Sequence, residues 1–171
     1  MLAPMKRHSR LENLPDESPY PGVFRFEVDF GGTLRCIPMS VRMKLDQTGI
    51  KLSLKQWNRL PAVGRRQLTE RPCTSEAETE AYREYLVSLI EAHTRTPVEL
   101  APLDASPPWA DARNVPERIR EWAQGVGVAP PSTGQWAELT PLQRFALFKL
   151  TRPGHKNENF LSAMREFALL H

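Results

Sequence analysis

One apolar helix near the C-terminus organises this sequence, and it lies within Leu139–Phe160, which reads LTPLQRFALFKLTRPGHKNENF. Thr140 can cap the helix, and Pro141 suits the first turn, where its missing N–H costs nothing. The helix is predicted to run to Thr151 and to end at Arg152-Pro153-Gly154. Between these limits, apolar residues cover nearly the whole circumference: Leu142, Phe145, Ala146, Leu147, Phe148 and Leu150. A short helix that is apolar on all sides belongs in a protein interior.

A weaker copy of this stretch occurs earlier in the chain. The copies share a Gln-Trp pair, a leucine and two arginines at similar spacing, which are Gln56, Trp57, Leu60, Arg65 and Arg71 against Gln135, Trp136, Leu139, Arg144 and Arg152. Small drifts in the offset are what insertions in loops would produce. We interpret the pattern as two pseudo-repeated helical units, about 38–93 and 116–171, joined by a proline-rich linker over 94–115.

The N-terminal part is predicted to contain no helix. Residues 1–21 combine four prolines with polar residues and are expected to form a flexible leader, while 22–171 form a single compact helical domain. From residue 23 onward aromatic and charged residues alternate, which is typical of a half-buried strand. Gly31-Gly32 permits a tight turn and Thr33 to Ile37 can return, so we expect a short N-terminal β-hairpin on a mostly α fold.

Two further elements have clear signals. Ser75-Glu76-Ala77-Glu78 is a capping box ahead of an apolar stripe at helical spacing, consisting of Tyr82, Tyr85, Leu86, Leu89 and Ile90. In the linker, Trp109 is expected to hold the chain against the core, because so large an aromatic side chain is usually buried on at least one face.

The two central helices differ in polarity. Where the second copy has Phe145 and Phe148, the first has arginines and polar residues. Because burying an unpaired arginine is costly, we expect the first copy's central helix to face water or a partner. The candidate partner-binding residues are this basic face together with the turn after the second central helix: Lys55, Arg59, Arg65, Arg66, Arg71, Arg152 and His155. A plain solvated face and ordinary helix capping are the alternative interpretations.

Composition limits the possible functions. The chain has 171 residues with 23 basic against 20 acidic side chains, so its pI near 9.1 reflects only a small surplus. Two cysteines without a C-x-x-C spacing fit a reducing compartment, and no apolar run resembles a signal peptide or a membrane span. We therefore expect a soluble, cytoplasmic protein.

No motif indicates a reaction. Cys36, Cys73, His93 and His155 are too scattered for a typical metal site, and the glycine pairs lack the Lys-Ser/Thr of a phosphate loop. We predict no catalytic residue, no metal and no cofactor. A nucleic-acid-binding helical module is a possible alternative, since an exposed basic helix can contact phosphates.

Several segments together resemble the nitrate reductase-associated protein family, and they extend from about Phe24 to the C-terminus. They include Phe26-Glu27-x-Asp29-Phe30, the run from Leu34 to Met39, Val41-Arg42-x-Lys44-Leu45-Asp46, Gly49 to Leu52, Pro107-Pro108-Trp109, and Leu139–Phe160. The resemblance implies a small accessory protein found with cytoplasmic assimilatory nitrate reductases of the cyanobacterial type, which are molybdopterin iron–sulfur enzymes.

The resulting hypothesis is a chaperone-like maturation factor of nitrate assimilation, without catalytic activity of its own. It would bind the nitrate reductase polypeptide through the basic face and the Arg152–His155 turn, and would assist its assembly, maturation or stability. The alternatives are a cofactor-handling or metal-handling protein and the nucleic-acid-binding module.

Overall fold

The computed structural model describes residues 20–28, 33–154 and 157–170. Within these ranges the fold is mostly helical, as predicted. The helices are α1 (Met39–Thr48), α2 (Leu54–Arg59), α3 (Ala62–Glu70), α4 (Glu76–Thr94), α5 (Glu117–Gly125), α6 (Thr133–Glu138), α7 (Pro141–Lys149) and α8 (Phe160–Glu166). Two short 3-10 helices cover Arg25–Glu27 and Pro108–Ala110. No helix in the described ranges has the length and apolar character needed to cross a bilayer.

The apolar C-terminal helix forms as the sequence predicts. The Thr140 side chain accepts a hydrogen bond from the backbone N–H of Gln143, whose side chain accepts in return from the N–H of Thr140. Phe145, Ala146 and Leu147 are fully buried, and the helix ends at Lys149, two residues before the expected end. Helix α7 is therefore the enclosed element on which the C-terminal half is built.

The same type of cap begins three other helices. Ser53, Ser75 and Ser132 each accept from a backbone N–H three residues on, and each forms a capping box with Gln56, Glu78 and Gln135 respectively. The apolar stripe of α4 is buried as expected at Tyr82, Leu86, Leu89 and Ile90. Each cap depends on residues close in sequence, and the one at Ser75 confirms the predicted capping box.

The buried side chains form two clusters that follow the order of the chain. The first cluster spans Ile37 to Ile90 and contains Trp57; the second spans Val115 to Phe167, contains Trp136, and also takes in Phe26. Helix α1 packs against α7, so the two clusters lie on either side of one helix contact. Trp109 packs edge-on against Phe145 with ring centroids 5.4 Å apart, which confirms that it holds the linker against the core.

The predicted N-terminal strand is wrong for the residues that the structure describes. Arg25–Glu27 form a 3-10 helix, and Phe30 and Gly31-Gly32 of the expected hairpin lie outside the described residues. The strand does not form because the backbone N–H groups that would pair with a neighbouring strand have another acceptor. The N–H groups of Arg25 and Phe26 donate to the Glu166 carboxylate at 2.9 and 3.0 Å, so carboxylate oxygens take the place of a neighbouring strand. The sheet of the described residues is elsewhere, where β1 (Ile50–Lys51) pairs antiparallel with β2 (Glu99–Leu100) in the linker.

The two halves have corresponding local features. Trp57 and Trp136 are both fully buried in six-residue helices that begin with a serine capping box and end at a leucine, Leu60 or Leu139. Both indole N–H groups donate to backbone carbonyls of the preceding segment, Leu34 O at 2.7 Å and Asp111 O at 2.9 Å. The final helices differ, since α4 spans 19 residues and α8 spans 7. A duplicated unit stays a prediction.

Candidate partner-binding groove

A broad groove runs between the N-terminal and C-terminal halves of the protein. Its volume is about 1030 Å³, and one wall is formed by α1, β1 and the start of α2. Lys149, Leu150 and Arg152 form the opposite wall. The ammonium group of Lys149 lies 2.8 Å from the Asp46 carboxylate, so an ion pair between α7 and α1 joins the two walls. We call this feature the interhalf groove.

Cationic side chains dominate the lining of the interhalf groove. Six are present against three carboxylates; the cations are Arg42, Lys51, Lys55, Arg59, Lys149 and Arg152, and the acids are Glu27, Asp46 and Glu99. Of the acids, Asp46 is already paired with Lys149. The groove therefore favours a ligand that carries negative charge.

Some of these cations are held by the fold and others are free to bind. Arg42 Nε donates to Ile37 O and Arg59 Nη1 to Thr94 O, both at 3.0 Å. Lys51, Lys55 and Arg152 are exposed, and in the described part of the chain their side chains have no hydrogen bond or ion pair. The sequence predicted Lys55, Arg59 and Arg152, and the fold brings these three to one groove. The sequence analysis did not predict Lys51 and Lys149 as partner-binding residues. Each is a single lysine between apolar residues, so neither belongs to a basic cluster that the sequence would reveal.

The other predicted partner-binding residues lie elsewhere. Arg65, Arg66 and Arg71 belong to α3 and its C-terminal end and do not line the interhalf groove. Arg66 is exposed, whereas Arg65 and Arg71 are half-buried. His155 lies outside the described residues.

Arg65 and Arg71 both contribute to packing. Arg65 Nη1 donates at 2.8 Å to Leu34 O, the carbonyl that also accepts the Trp57 indole N–H. The Arg71 guanidinium lies over the Tyr85 ring, 3.9 Å from its centre. The corresponding arginine of the second half, Arg144, is buried and donates to Trp109 O and Leu139 O. In each half this arginine fastens the central helix to neighbouring backbone, a role that its charge alone could not reveal.

The groove lining contains a carboxyl group with a raised pKa, Glu27, and a free thiol, Cys36. Glu27 accepts from the N–H of Met39 at 2.6 Å and from that of Phe24 at 3.0 Å. Burial raises its pKa from 4.5 to about 7, although these hydrogen bonds and Arg42 act in the opposite direction. Cys36, also in the lining, is exposed to solvent.

Cys73 and Lys44 do not line the interhalf groove. Cys73 is buried, and burial raises the pKa of its thiol. The Lys44 ammonium donates to the carbonyls of Leu68, Thr69 and Arg71, so it caps the C-terminal end of α3. The described ranges contain no cluster of three or more histidine, cysteine or acidic side chains suited to a metal ion.

The fold and the groove define a mostly helical protein with a cationic cleft between two small hydrophobic cores. The chain belongs to the family described as conserved nitrate reductase-associated protein, whose family model matches residues 23–167. This description connects the chain with nitrate reductase and distinguishes it from the reductase itself. Neither the curated proteins nor the solved structures that were searched gave a match.

Proposed function

We propose that this protein is an accessory factor that binds a cytoplasmic molybdopterin nitrate reductase polypeptide by direct contact and assists its assembly, maturation or stability. Family membership supports the connection with nitrate reductase. The observation that carries the contact is the interhalf groove, where Lys51, Lys55 and Arg152 are free to receive carboxylates of a partner. Holding the reductase polypeptide in a state open to insertion of its molybdenum cofactor is the step we propose for it.

The position of the groove supports binding of an extended polypeptide segment. Its walls come from both halves, and its volume of about 1030 Å³ lies at the upper end of the usual range for small-molecule pockets. Rim charges of this kind mainly raise the association rate and the specificity of a complex. We include the duplicated helical unit in the proposal, since two similar halves joined side by side would create such a cleft.

The contact is tested by reversing charge inside and outside the groove. The Lys55→Glu/Arg152→Glu variant should capture co-expressed nitrate reductase polypeptide at least about tenfold less than the unchanged chain, because opposed rim charges would become repelling ones. Expression in a strain that cannot make the molybdenum cofactor keeps the reductase in the form proposed to need this protein. The readouts are co-purified reductase and, in a cofactor-producing strain, its activity.

The matched control is Arg113→Glu/Arg165→Glu, which changes net charge by the same amount on exposed residues that neither line the groove nor belong to the predicted partner-binding set. Equal loss in both variants would show a general charge effect, and undiminished capture by the groove variant would exclude the groove. Cys36 supplies a second readout, because it is exposed in the lining and its alkylation should slow when reductase is bound.

A further inference from the structure

A second concave site lies beside the interhalf groove, on the other side of the Arg152 turn. We call it the notch; its volume is about 390 Å³, and its walls are Arg118, Trp122, Gly125 and Val126 of α5 and its end, with Thr151 and Pro153. Val126 is an exposed large hydrophobic residue, 41% accessible, and Trp122 is half-buried against the second core. The notch is thus an apolar depression that stays open to solvent.

A rigid cation borders the notch. The Arg118 guanidinium lies over the Phe148 ring at 3.8 Å from its centre, and it donates to Phe148 O at 2.8 Å and to Thr151 Oγ1 at 3.1 Å. These contacts fix its position before any partner arrives, so little side-chain entropy is lost on binding.

Two positive charges meet here without a carboxylate between them. Partial burial lowers the pKa of Arg118, and the like charge of Arg152 adds to this effect. Among the ion pairs of the described ranges, neither arginine has a partner. The notch lining itself contains one cation, Arg118, and one carboxylate, Glu121. Arg152, between the lining residues Thr151 and Pro153, belongs to the adjoining groove and adds a second positive charge at the border. A carboxylate placed beside these arginines would relieve their repulsion.

The Trp122 indole has a buried N–H group without a hydrogen-bond partner in the part of the chain that the structure describes. A shielded donor without an acceptor costs free energy. Because water does not reach this N–H, Trp122 offers a ligand in the notch its apolar ring and not a hydrogen bond.

We infer that the notch binds a short segment of the nitrate reductase polypeptide in which an apolar side chain is followed closely by a carboxylate. The apolar side chain lies against Trp122 and Val126, and the carboxylate meets Arg118 and Arg152. Because Arg152 lines the interhalf groove and its neighbours Thr151 and Pro153 line the notch, a segment that continues across this turn contacts both sites. This inference rests on the proposed function.

Gly125 permits a test that leaves the fold intact. A Cβ built at Gly125 meets no heavy atom within 4 Å, and leucine favours a helix more than glycine does. Gly125→Leu therefore adds an apolar side chain to the notch lining with no clash at its Cβ. The matched control is Gly134→Leu in α6, where an added Cβ meets only Ser132 Oγ at 3.8 Å. Val126→Glu is a second notch variant, which adds a carboxylate to compete for the two arginines.

The experiment measures capture of co-expressed nitrate reductase polypeptide by each full-length variant, with far-ultraviolet circular dichroism to verify folding. Gly125→Leu and Val126→Glu should each reduce capture at least about tenfold, and Gly134→Leu should not change it. Undiminished capture by both folded notch variants would overturn the inference and leave the groove proposal standing. Failure of the unchanged chain to capture the reductase would overturn both.

Discussion

At the scale of single residues, two carboxylates hold the first described residues of the chain in place. Glu166 accepts the N–H groups of Arg25 and Phe26 from 141 and 140 positions away, and Glu27 ties Phe24 to the start of α1. The alternating pattern of residues 23–30 predicted a strand because periodicity describes only which side chains face the core. It contains no information about which distant acceptor satisfies the backbone.

Glu27 gives a pH-dependent prediction at this scale. Its pKa is raised to about 7 in the folded chain, so the folded state binds the proton more tightly than the unfolded state. The resulting stability is fully present below about pH 4.5 and is lost as pH rises through about 7. Relative to Glu27→Gln, the free energy of unfolding should fall over this window by at most about 1.4 kcal/mol per pH unit.

Urea unfolding at half-unit pH steps measures this slope, and the comparison with Glu27→Gln cancels the other titrating groups. Parallel pH profiles for the two chains would show that Glu27 titrates in the same range in both states. Glu78 is a useful contrast, because its hydrogen bonds to Thr74 and Ser75 lower its pKa and it adds the opposite trend at more acidic pH.

At the scale of elements, local sequence signals predict where a helix begins but do not predict which distant elements pair with each other. Capping boxes identify the starts of α2, α4, α6 and α7 because all their partners lie within three residues. The pairing of β1 with β2 had no such signal, since each strand spans two residues and the register joins Ile50 to Leu100 across the long helix α4.

Gly64 tests how closely α3 approaches α4. An added Cβ would lie 3.2 and 3.3 Å from the Leu89 methyl carbons, whereas at Gly134 it would meet only Ser132 Oγ at 3.8 Å. Gly134→Ala should gain up to about 1 kcal/mol from helix propensity. Gly64→Ala should show no gain or a loss, because Leu89 must move to admit the methyl group. Denaturant unfolding of the pair measures the difference, and equal gains would mean that the two helices separate easily.

At the scale of the whole molecule, two hydrophobic clusters are joined into one structure by a few long-range contacts. Helix α1 packs on α7, the Asp46–Lys149 ion pair crosses between them, and Phe26 from the N-terminal side belongs to the C-terminal cluster. The ion pair is about half exposed and should contribute no more than about 1 kcal/mol. Apolar packing must therefore provide most of the connection.

Trp136 tests this cooperativity. Its side chain is fully buried, so Trp136→Ala should lower the free energy of unfolding by about 3–5 kcal/mol. Because the two clusters share the α1–α7 contact, the variant should still unfold in one transition rather than two. Near- and far-ultraviolet circular dichroism during thermal unfolding should give the same midpoint. Leu103→Ala, at a side chain that is 65% exposed, is the control and should change stability little.

The candidate site shows the same division between local and long-range information. Lys55, Arg59 and Arg152 could be selected from the sequence as candidate basic residues. The sequence did not indicate that these three line one groove and that Arg66 does not. Likewise Arg65 and Arg144 look like exposed cations in sequence. Their burial depends on carbonyls 31 and 35 positions away, at Leu34 and Trp109.

The amino-acid pattern alone was enough to predict the helical class, the capped starts of α4 and α7, the enclosed α7 and membership of the nitrate reductase-associated family. These features depend on residue spacing within a few turns. The tertiary structure alone decided the 3-10 entry at Arg25–Glu27, the structural role of the two arginines, and the position of the groove and the notch. Each of those depends on atoms that are distant in sequence and become neighbours only when α1 packs against α7 and the termini of the described chain meet at Glu166.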